Sequence, residues 1–448
     1  MTGNRAGWPG MGSRCVTADI PGIGGVLRAR PEDFLVEEQP LYQPRGEGEH
    51  IYLMVQKAGM STAQAAAALA RHFRVPGHAV GYAGLKDKHA ITRQVFSIHV
   101  PGKKPEDFPE LRHERMAVLW ADLHANKLRP GRLAGNRFSI KVRGVDMTAA
   151  LHAERALRIL AARGVPNLAG EQRFGFRNNN HDLGRLDILG DAQGLLDELL
   201  GPDEAFPGLN ADARAAYARR DFAAALDRMP RDARVECAAL RALASGGTPE
   251  RAVGAIDSTQ RRFWITAFQS AVFNRVLGDR LEAGDDARLI EGDLAWKHRN
   301  GAVFAVAADT LADPETAGRL ARLEISPSGP LWGASMMRAS GAVDAAETAA
   351  LADSGVSPES LAAYAARSRQ PITGARRPLR VPVIDPEVEG GIDEHGHYVR
   401  CAFELPAGAF ATIVMREVMK PAAGASPGVE GGPGPDSPAE DPGDLTGS

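Results

Sequence analysis

Short runs of alternating apolar and polar residues fill most of the first third of the chain, and they predict strands. These runs are GVLRAR, FLVEE, HIYLMVQK, VGYAG, VFSIHV and NRFSIKVRG. Two helices interrupt them. In STAQAAAALARHF, Ser61 and Gln64 predict a capping box, and Gly164 ends TAALHAERALRILAARG. Strands and helices do not alternate regularly, so the pattern predicts a mixed α+β fold and not repeated βαβ units.

The pattern changes near residue 182, where Ala-rich helices begin and continue to about residue 370. A strand pair in GDLAWKHRNGAVFAV interrupts these helices, and strand character returns at HYVRCAFELP, before AGAFATIVMREVMK. We therefore predict a split α+β domain, 18–181 and 371–420, with a mostly helical α+β domain, 182–370, inserted in it. Residues 1–17 are Gly-rich, and 421–448 hold five carboxylates and no base. This composition predicts disordered ends.

The net charge of −3 conceals a strong asymmetry. Residues 1–180 contain 26 Lys and Arg against 16 Asp and Glu, a net of +10, whereas the remainder contains 27 against 40, a net of −13. One basic run is free of acidic residues and comprises Lys127, Arg129, Arg132, Arg137, Lys141 and Arg143. Such an excess can attract a polyanion by counterion release, but it can equally be a solvated surface. Charge alone leaves both interpretations open.

Several classes of protein are disfavoured by what the sequence lacks. No apolar run reaches the roughly 18 to 20 residues that span a bilayer, and the start has no apolar signal segment. Cys15, Cys237 and Cys401 are odd in number and far apart, which predicts a reducing, cytoplasmic setting without disulfides. Zinc-site spacings, phosphate-binding glycine loops and a G-x-S-x-G elbow are all absent. We therefore expect chemistry without a metal or cofactor.

The most unusual stretch is GYAGLKDKHAITRQVF, residues 81–96. Asp87 lies between Lys86 and Lys88 in a loop that joins two apolar strands. Flanking cations favour an ionised carboxylate, which could act as a nucleophile or a base beside a phosphodiester that the lysines attract. A solvated turn would show the same three residues. The loop by itself does not decide between the two.

This loop resembles the signature A-G-x-K-D-K-x-A-x-T-x-Q of TruD-type pseudouridine synthases. The matching residues are Ala83, Gly84, Lys86, Asp87, Lys88, Ala90, Thr92 and Gln94. Further segments resemble other family motifs in the family's order: PEDFLVEE, GNRFSIKVRG, GVPNLAGEQRFG, ITAFQSAVFNRVL, ISPSGPLWG and LPAGAFATIVMREVMK. Because several long motifs match in order, from about residue 20 to 420, the sequence is identified as a member of this family.

The resemblance implies the pseudouridine synthase fold, with a mixed, mainly antiparallel sheet and a family-specific insertion. It implies conversion of uridine to pseudouridine in tRNA, at position 13 in bacterial members, without a cofactor or a second substrate. We expect tRNA as the partner, with no membrane and no protein partner, and a cytoplasmic monomer. A catalytically inactive tRNA-binding protein of the same fold is the alternative. An RNA methyltransferase would need a cofactor cradle, which the sequence does not contain.

The resemblance also assigns the reacting group. Asp87 would either attack C1′ of the target nucleotide or remove its 2′ proton to give a glycal. Lys86 or Lys88 would keep this carboxylate ionised or hold a phosphate. Arg28 stands where the family has Lys and is expected among the residues that bind the substrate.

The remaining assignments concern the uridine pocket. Phe34, Phe138 and Phe410 match family aromatics that stack on a base extruded from its helix. Asn136 matches a residue that hydrogen-bonds the nucleotide. Taken singly, each Phe could instead belong to the core, and Asn136 could be a turn residue before a strand.

Some positions depart from the family pattern. Leu168 and Ala169 replace an aromatic pair, and Asn178 stands near an expected Gly, although Asn tolerates a left-handed backbone. Gln172 and Arg173 could reach RNA or brace the core, and we favour bracing. These departures concern packing or RNA contacts more than the Asp87 loop.

Overall fold

The computed structural model describes residues 14–88, 90–368 and 372–420, which form two compact units. The sheet unit comprises 14–88, 90–167 and 380–420, and the helical unit comprises 168–368 and 372–379. The domain borders predicted at 181/182 and 370/371 stay predictions. Residues 1–13 and 421–448, which were predicted to be disordered, lie outside the described residues.

Fourteen strands and fourteen α-helices lie within these described ranges. The strands are β1 (Phe34–Pro40), β2 (His50–Ala58), β3 (Val80–Tyr82), β4 (Ile91–His99), β5 (Met116–His124), β6 (Leu133–Arg143), β7 (Val165–Pro166), β8 (Leu294–Lys297), β9 (Val303–Ala305), β10 (Ile325–Leu331), β11 (Ala375–Pro378), β12 (Arg380–Val381), β13 (Ile384–Asp393) and β14 (Gly396–Pro406). The helices are α1 (Thr62–His72), α2 (Ala150–Arg163), α3 (Asn180–Leu189), α4 (Ala192–Leu200), α5 (Ala211–Ala218), α6 (Phe222–Arg228), α7 (Arg234–Ala244), α8 (Pro249–Gly254), α9 (Ser258–Ala283), α10 (Ala308–Ala312), α11 (Pro314–Ala321), α12 (Gly341–Ala352), α13 (Pro358–Arg367) and α14 (Ala411–Met419).

The sheet unit is built on an eight-stranded sheet in the order β13-β14-β6-β1-β4-β2-β5, with β3 added beside β4. Within the described strands, β1 and β4 are parallel and the other pairs in this sheet are antiparallel. The prediction of a mixed, mainly antiparallel sheet is therefore confirmed. Side chains of alternate residues in a strand lie on the same face of the sheet. Helix α1 covers one face of β2 and β4, where Leu69 of the helix packs in a buried cluster with Leu53 and Phe96 of the strands.

The predicted helix ends in this unit are confirmed. Ser61 accepts a hydrogen bond from the Gln64 N–H, and the Gln64 side chain accepts one from the Ser61 N–H, so the capping box is complete. Gly164 ends α2 with φ +84°, a left-handed region that other residues rarely enter. The strand predicted for GVLRAR is wrong. Only Val26 bridges to Arg143, because Arg28 has φ +56°, which breaks the extended backbone.

The two described ends of the sheet unit are joined by one buried carboxylate. The N–H groups of Val16 and Thr17 and the Thr17 hydroxyl all donate to the Glu417 side chain, at 2.7 to 3.1 Å. Thr17 is buried, although it falls in the range 1–17 that composition predicted to be disordered. A buried carboxylate is stable here because three donors replace its water.

The helical unit is arranged around α9, the longest helix in the described part of the chain. Gly184 of α3 allows close packing, since a Cβ at this position would lie 2.1 Å from the Trp264 carbonyl oxygen of α9. A four-stranded sheet in the order β11-β10-β8-β9 accompanies the helices. Its β8–β9 hairpin is the strand pair that the sequence predicts in GDLAWKHRNGAVFAV.

Candidate active site

The loop that carries Asp87 is tied down by buried polar side chains. The Lys86 N–H donates to Thr62 Oγ1 at 2.9 Å, and the Thr62 hydroxyl donates to Gln94 Oε1 at 3.0 Å. The Gln94 amide in turn donates to the Gly84 carbonyl at 3.1 Å. Thr62 and Gln94 are almost fully buried, so these bonds are shielded from water. The loop backbone is thereby fixed to the start of α1 and to β4.

Lys57 fixes the same loop from β2, although the sequence analysis did not single it out. Its ammonium is buried and lies 2.7 Å from the Met60 carbonyl oxygen, 3.3 Å from that of Asp87 and 3.4 Å from that of Lys86. Burial lowers the pKa of Lys57 to about 8, while the nearby Asp87 charge acts to raise it and Lys86 to lower it further. A lysine at a core-facing strand position was the only signal for it.

Arg28 contacts Asp87 directly. Its guanidinium Nη2 lies 3.0 Å from Asp87 Oδ2, and each side chain keeps about a quarter of its surface exposed (26% and 28%). The guanidinium also lies over the Phe34 ring, 4.5 Å from its centroid. Arg28 thus joins the carboxylate to the aromatic part of the site, and the partial exposure leaves the carboxylate open to a substrate.

The two lysines beside Asp87 have different surroundings. The Lys86 ammonium is buried and lies 3.0 Å from Glu38 Oε2, and Glu38 Oε1 accepts a hydrogen bond from the Val95 N–H. Lys88 is exposed. Lys86 therefore braces the loop against β1, and Lys88 faces solvent.

The predicted aromatic pocket is partly assembled. Phe34 and Phe138 pack edge to face with centroids 6.4 Å apart, and Phe138 lies 5.8 Å from Phe403, which the sequence analysis missed. Phe34, Phe138 and Phe403 are buried. Phe410 is half-buried just before α14, and the ring contacts found among the described residues do not reach it.

Asn136 and Thr92 lie on the same face of the sheet as this pocket. Asn136 stands opposite Glu38, Phe138 stands opposite Val36, and Val36 is the neighbour of Thr92 across β1 and β4. Among the described residues, Asn136 Oδ1 and Thr92 Oγ1 are buried without a hydrogen-bond partner. A buried polar atom left unsatisfied costs about 1 to 3 kcal/mol, so the described fold leaves hydrogen-bonding capacity unused at both atoms.

An ion-pair network supports the segment before Phe34. Arg143 of β6 binds Asp33 with distances of 2.6 and 3.0 Å and Asp393 of β13 at 2.6 Å. Asp33 is buried, and the Arg143 guanidinium holds the pKa of Asp393 well below its usual range. The network links β6, the β13–β14 hairpin and the turn that leads into Phe34.

The departing residues of the helical unit differ in burial. Leu168 and Ala169 are buried, and the Ala169 backbone exchanges two hydrogen bonds with the Asn274 side chain. Asn178 is exposed and has φ +50°, the left-handed conformation that its place near an expected Gly requires. Arg173 is buried with its guanidinium 5.5 Å from the Phe263 ring centroid, as bracing requires. Gln172 is exposed and therefore does not brace the core as predicted.

Two broader observations complete the description. In the described ranges, no group of three or more His, Cys, Asp or Glu is arranged to hold a metal ion. No helix there is both long and apolar enough to cross a bilayer.

Comparisons with known proteins bear directly on this arrangement. The family model of tRNA pseudouridine synthase D (TruD) matches residues 10–418. The chain belongs to this family. It is 43% identical over 410 residues to a tRNA pseudouridine synthase D of Geobacter sulfurreducens, covering 91% of this chain and 97% of the relative. It is 41% identical over 409 residues to the Geobacter metallireducens protein of the same name, covering 91% and 98%.

A solved structure agrees with the family assignment. A crystal structure of a Methanosarcina mazei protein assigned to TruD superposes with a TM-score of 0.75 at 26% identity, covering 93% of this chain and 97% of that one. The family, the enzyme class and the fold predicted from the sequence are thus confirmed. The roles predicted for Asp87, Arg28, Lys86, Lys88, Phe34, Asn136, Phe138 and Phe410 stay predictions.

Proposed function

We propose that this protein isomerises uridine to pseudouridine in tRNA, at position 13, with Asp87 as the catalytic carboxylate and no cofactor. The observation that carries the proposal is a partly exposed carboxylate on a loop that buried side chains hold in place. The printed name of the relatives, tRNA pseudouridine synthase D, supports tRNA as the substrate.

The reaction exchanges one bond for another on the same sugar. The bond between N1 of uracil and C1′ breaks, the base turns, and a bond forms between C5 and C1′; C5 loses one proton and N1 takes one up, so the product is an isomer of the substrate. The reaction is redox neutral, so carboxylate chemistry suffices for it. Asp87 either adds to C1′ and is later displaced by C5, or removes the 2′ proton to give a glycal. In the second route C5 bonds to C1′ of the glycal and Asp87 returns the proton to C2′.

The neighbouring side chains bind and orient the nucleotide. Phe34 and Phe138 form a platform for the extruded base, worth about 1 to 3 kcal/mol of stacking, and Phe410 adds a third ring beside the sugar. The unsatisfied Oδ1 of Asn136 accepts the N3–H of uracil. Arg28 orients the Asp87 carboxylate, since it contacts both this group and Phe34.

The roles of the remaining cations differ because Lys88 is exposed, whereas Lys86 and Lys57 are buried. Lys88 lies in solvent and holds a phosphate beside the target nucleotide. Lys86 is committed to Glu38 and preserves the shape of the loop. Lys57 positions the backbone on both sides of Asp87 through the carbonyl groups it contacts.

The test is Asp87→Asn, which preserves the size of the side chain and removes its negative charge. We expect tritium release from C5-labelled uridine in tRNA to fall below a few per cent of the parent rate, with tRNA affinity within about threefold. Asp19→Asn, at an exposed carboxylate of the same unit, is the matched control and should keep full activity. Turnover above a few per cent in Asp87→Asn would overturn the assignment. Activity of the parent protein would also exclude a role in binding alone.

We also propose that the enzyme acts as a cytoplasmic monomer. Cys15, Cys237 and Cys401 are free thiols, as suits a reducing compartment. Light scattering during gel filtration should give the mass of one chain, and a dimer mass at micromolar protein would contradict the proposal.

A further inference from the structure

A second, strongly basic pocket lies in the sheet unit, and none of the residues assigned to catalysis lines it. It has a volume of about 430 Å³ and forms where the segment after β1 meets the loop between β5 and β6. Arg45, Lys127, Arg129 and Arg132 line it together with Tyr42 and His124, and no carboxylate does.

The four cations of this pocket lack acidic partners. Within the residues that the structure describes, none of them lies within ion-pair distance of a carboxylate. Arg45, Arg129 and Arg132 are exposed, and the Lys127 ammonium donates to the His78 carbonyl oxygen at 2.6 Å, which leaves its charge uncompensated. Four like charges around one concave surface repel each other, and an anion relieves that repulsion.

The floor of the pocket is aromatic and nearly uncharged. The Tyr42 ring stacks on the His124 ring, with centroids 5.0 Å apart and an interplanar angle of 18°. The Tyr52 ring also contacts the His124 ring, with centroids 4.7 Å apart. Burial lowers the pKa of His124, and the nearby Arg45 lowers it further, which disfavours a charged imidazole. Buried His124 Nδ1 has no hydrogen-bond partner among the described residues.

A shared crevice and a backbone hydrogen bond link the pocket to the candidate active site. A narrow crevice lined by Glu38, Tyr42 and Arg132 shares the last two residues with the pocket, and Glu38 is the partner of Lys86. In addition, the Gly131 N–H donates to the Ala83 carbonyl at 2.7 Å, at the start of the loop that carries Asp87. The loop that carries Asp87 and the loop that carries these cations are therefore held together by a hydrogen bond.

We infer that this pocket binds a phosphate of the RNA backbone close to the isomerised uridine. The inference rests on the proposed function, since it takes the strand that enters the Asp87 site as the ligand. Cations without partners, held by a rigid strand and loop framework, suit a phosphodiester because they contact it without reading sequence. The arrangement would anchor the strand and set which nucleotide reaches Asp87.

The test measures the salt dependence of tRNA binding in the Asp87→Asn background, so that turnover does not interfere. We expect Arg45→Ala with Arg129→Ala to weaken binding about tenfold or more near 0.1 M salt. The slope of log affinity against log salt should fall by about 1.4 to 1.8, since each lost contact contributes roughly 0.7 to 0.9. Lys103→Ala with Arg112→Ala removes the same charge at two exposed positions and should leave the slope unchanged. Equal slopes for the pocket variant and this control would overturn the inference.

A second measurement places the phosphate. In a substrate stem-loop, single phosphates around the target uridine are replaced by uncharged methylphosphonates. At one position near the target, the replacement should weaken binding to the parent protein and have no further effect on the pocket variant. Equal losses for both proteins at every position would overturn the inference.

The outcomes also separate this inference from the proposed function. If the parent protein isomerises tRNA while the pocket variant keeps the parent salt slope, the pocket assignment fails alone. If the parent protein releases no tritium while the slope falls as expected, the proposed function fails, and the pocket is still shown to contact RNA phosphates, without a link to an isomerised uridine.

Discussion

The two halves of the basic run from Lys127 to Arg143 read alike in sequence and differ in the fold. Lys127, Arg129 and Arg132 lie in the loop before β6 or at its edge, without carboxylate partners in the described chain. Arg137, Lys141 and Arg143 lie on β6 itself. Arg137 binds Glu387 and Glu404, Lys141 binds Asp393, and Arg143 binds Asp33 and Asp393.

The difference arises from the place of each residue in the sheet. The cations on β6 meet acidic residues of β13 and β14, which are some 250 positions away in sequence and reach β6 only when the sheet forms. No strand covers the loop cations in this way. A basic run therefore marks a binding surface only where the fold fails to neutralise it, and the sequence cannot show which half that is.

The largest effect should come from breaking the neutralised half. Arg143→Met leaves the buried Asp33 carboxylate without its cation, which should lower the free energy of unfolding by roughly 3 kcal/mol. Denaturant melts of this variant and of Arg129→Ala measure the contrast, because Arg129 is exposed and its loss should cost less than about 0.5 kcal/mol. Similar losses in both variants would contradict the division of the run.

Lys57 belongs to neither half of the basic run and shows a third environment for a cation. It is buried, and its ammonium contacts carbonyl oxygens. Its pKa in the folded protein is about 8, below its ordinary value of 10.5. Between these two values the unfolded chain binds more protons, so this site makes the protein more stable as pH rises, by up to about 1.4 kcal/mol per pH unit. The cost of burying the charge is fully present below pH 8.

The measurement compares unfolding free energies of the parent and Lys57→Met from pH 7 to 10. The difference between the two proteins should change steadily above pH 8, in favour of the parent. A constant difference over this range would show that Lys57 does not titrate as described. Should Lys57→Met not fold, reaction of the parent's lysines with an amine reagent at increasing pH gives the same pKa.

Substitutions in the loop half of the run should weaken tRNA binding and leave the stability of the fold unchanged. Lys127→Ala with Arg129→Ala should weaken tRNA binding and flatten its salt dependence, while turnover at saturating tRNA stays nearly intact. Arg137→Ala with Lys141→Ala is the comparison from the strand half and should change melting temperature more than salt slope. A loss of thermal stability in Lys127→Ala with Arg129→Ala, at the parent salt slope, would mean that these cations serve the fold.

The smallest effect is expected from the acidic tail. Deleting 421–448, which lie outside the described residues, removes five carboxylates and no base. Its composition predicts too little apolar surface to pack on the fold, so activity and melting temperature should stay nearly unchanged. A clear loss of activity or a clear fall in melting temperature would show that the tail contacts the rest of the protein.

Sequence reasoning reached the elements whose residue pattern is local. The alternating strands, the Ser61 capping box and the motif around Asp87 could all be read directly. Strand β13 could not, because IDPEVEGGID is largely exposed and polar, without apolar alternation. The GVLRAR strand prediction is wrong because Arg28 has a left-handed backbone, which the residue types of this segment do not indicate.

The candidate site was predictable in its motif residues and not in its supports. Lys57 lies near the end of an ordinary strand sequence, and its role depends on the Met60 carbonyl, between β2 and α1, meeting two carbonyl groups of the Asp87 loop at one point. The pairing of Arg28 with Asp87 and the stacking of Tyr42 on His124 likewise join distant segments. Such contacts arise from tertiary packing, so local sequence propensity does not predict them.

The bond between Thr17 and Glu417 has a consequence for how the chain is made. The sheet unit contains both described ends of the chain, while the helical unit, roughly 200 residues long, is continuous and precedes β13, β14 and α14. At about 5 to 20 residues per second, the ribosome needs on the order of 10 to 40 seconds to translate this interval. During that time Arg137 and Lys141 of β6 lack their partners and Arg143 has only Asp33. The nascent sheet then has an open edge, so the helical unit can fold first and the active site is completed last.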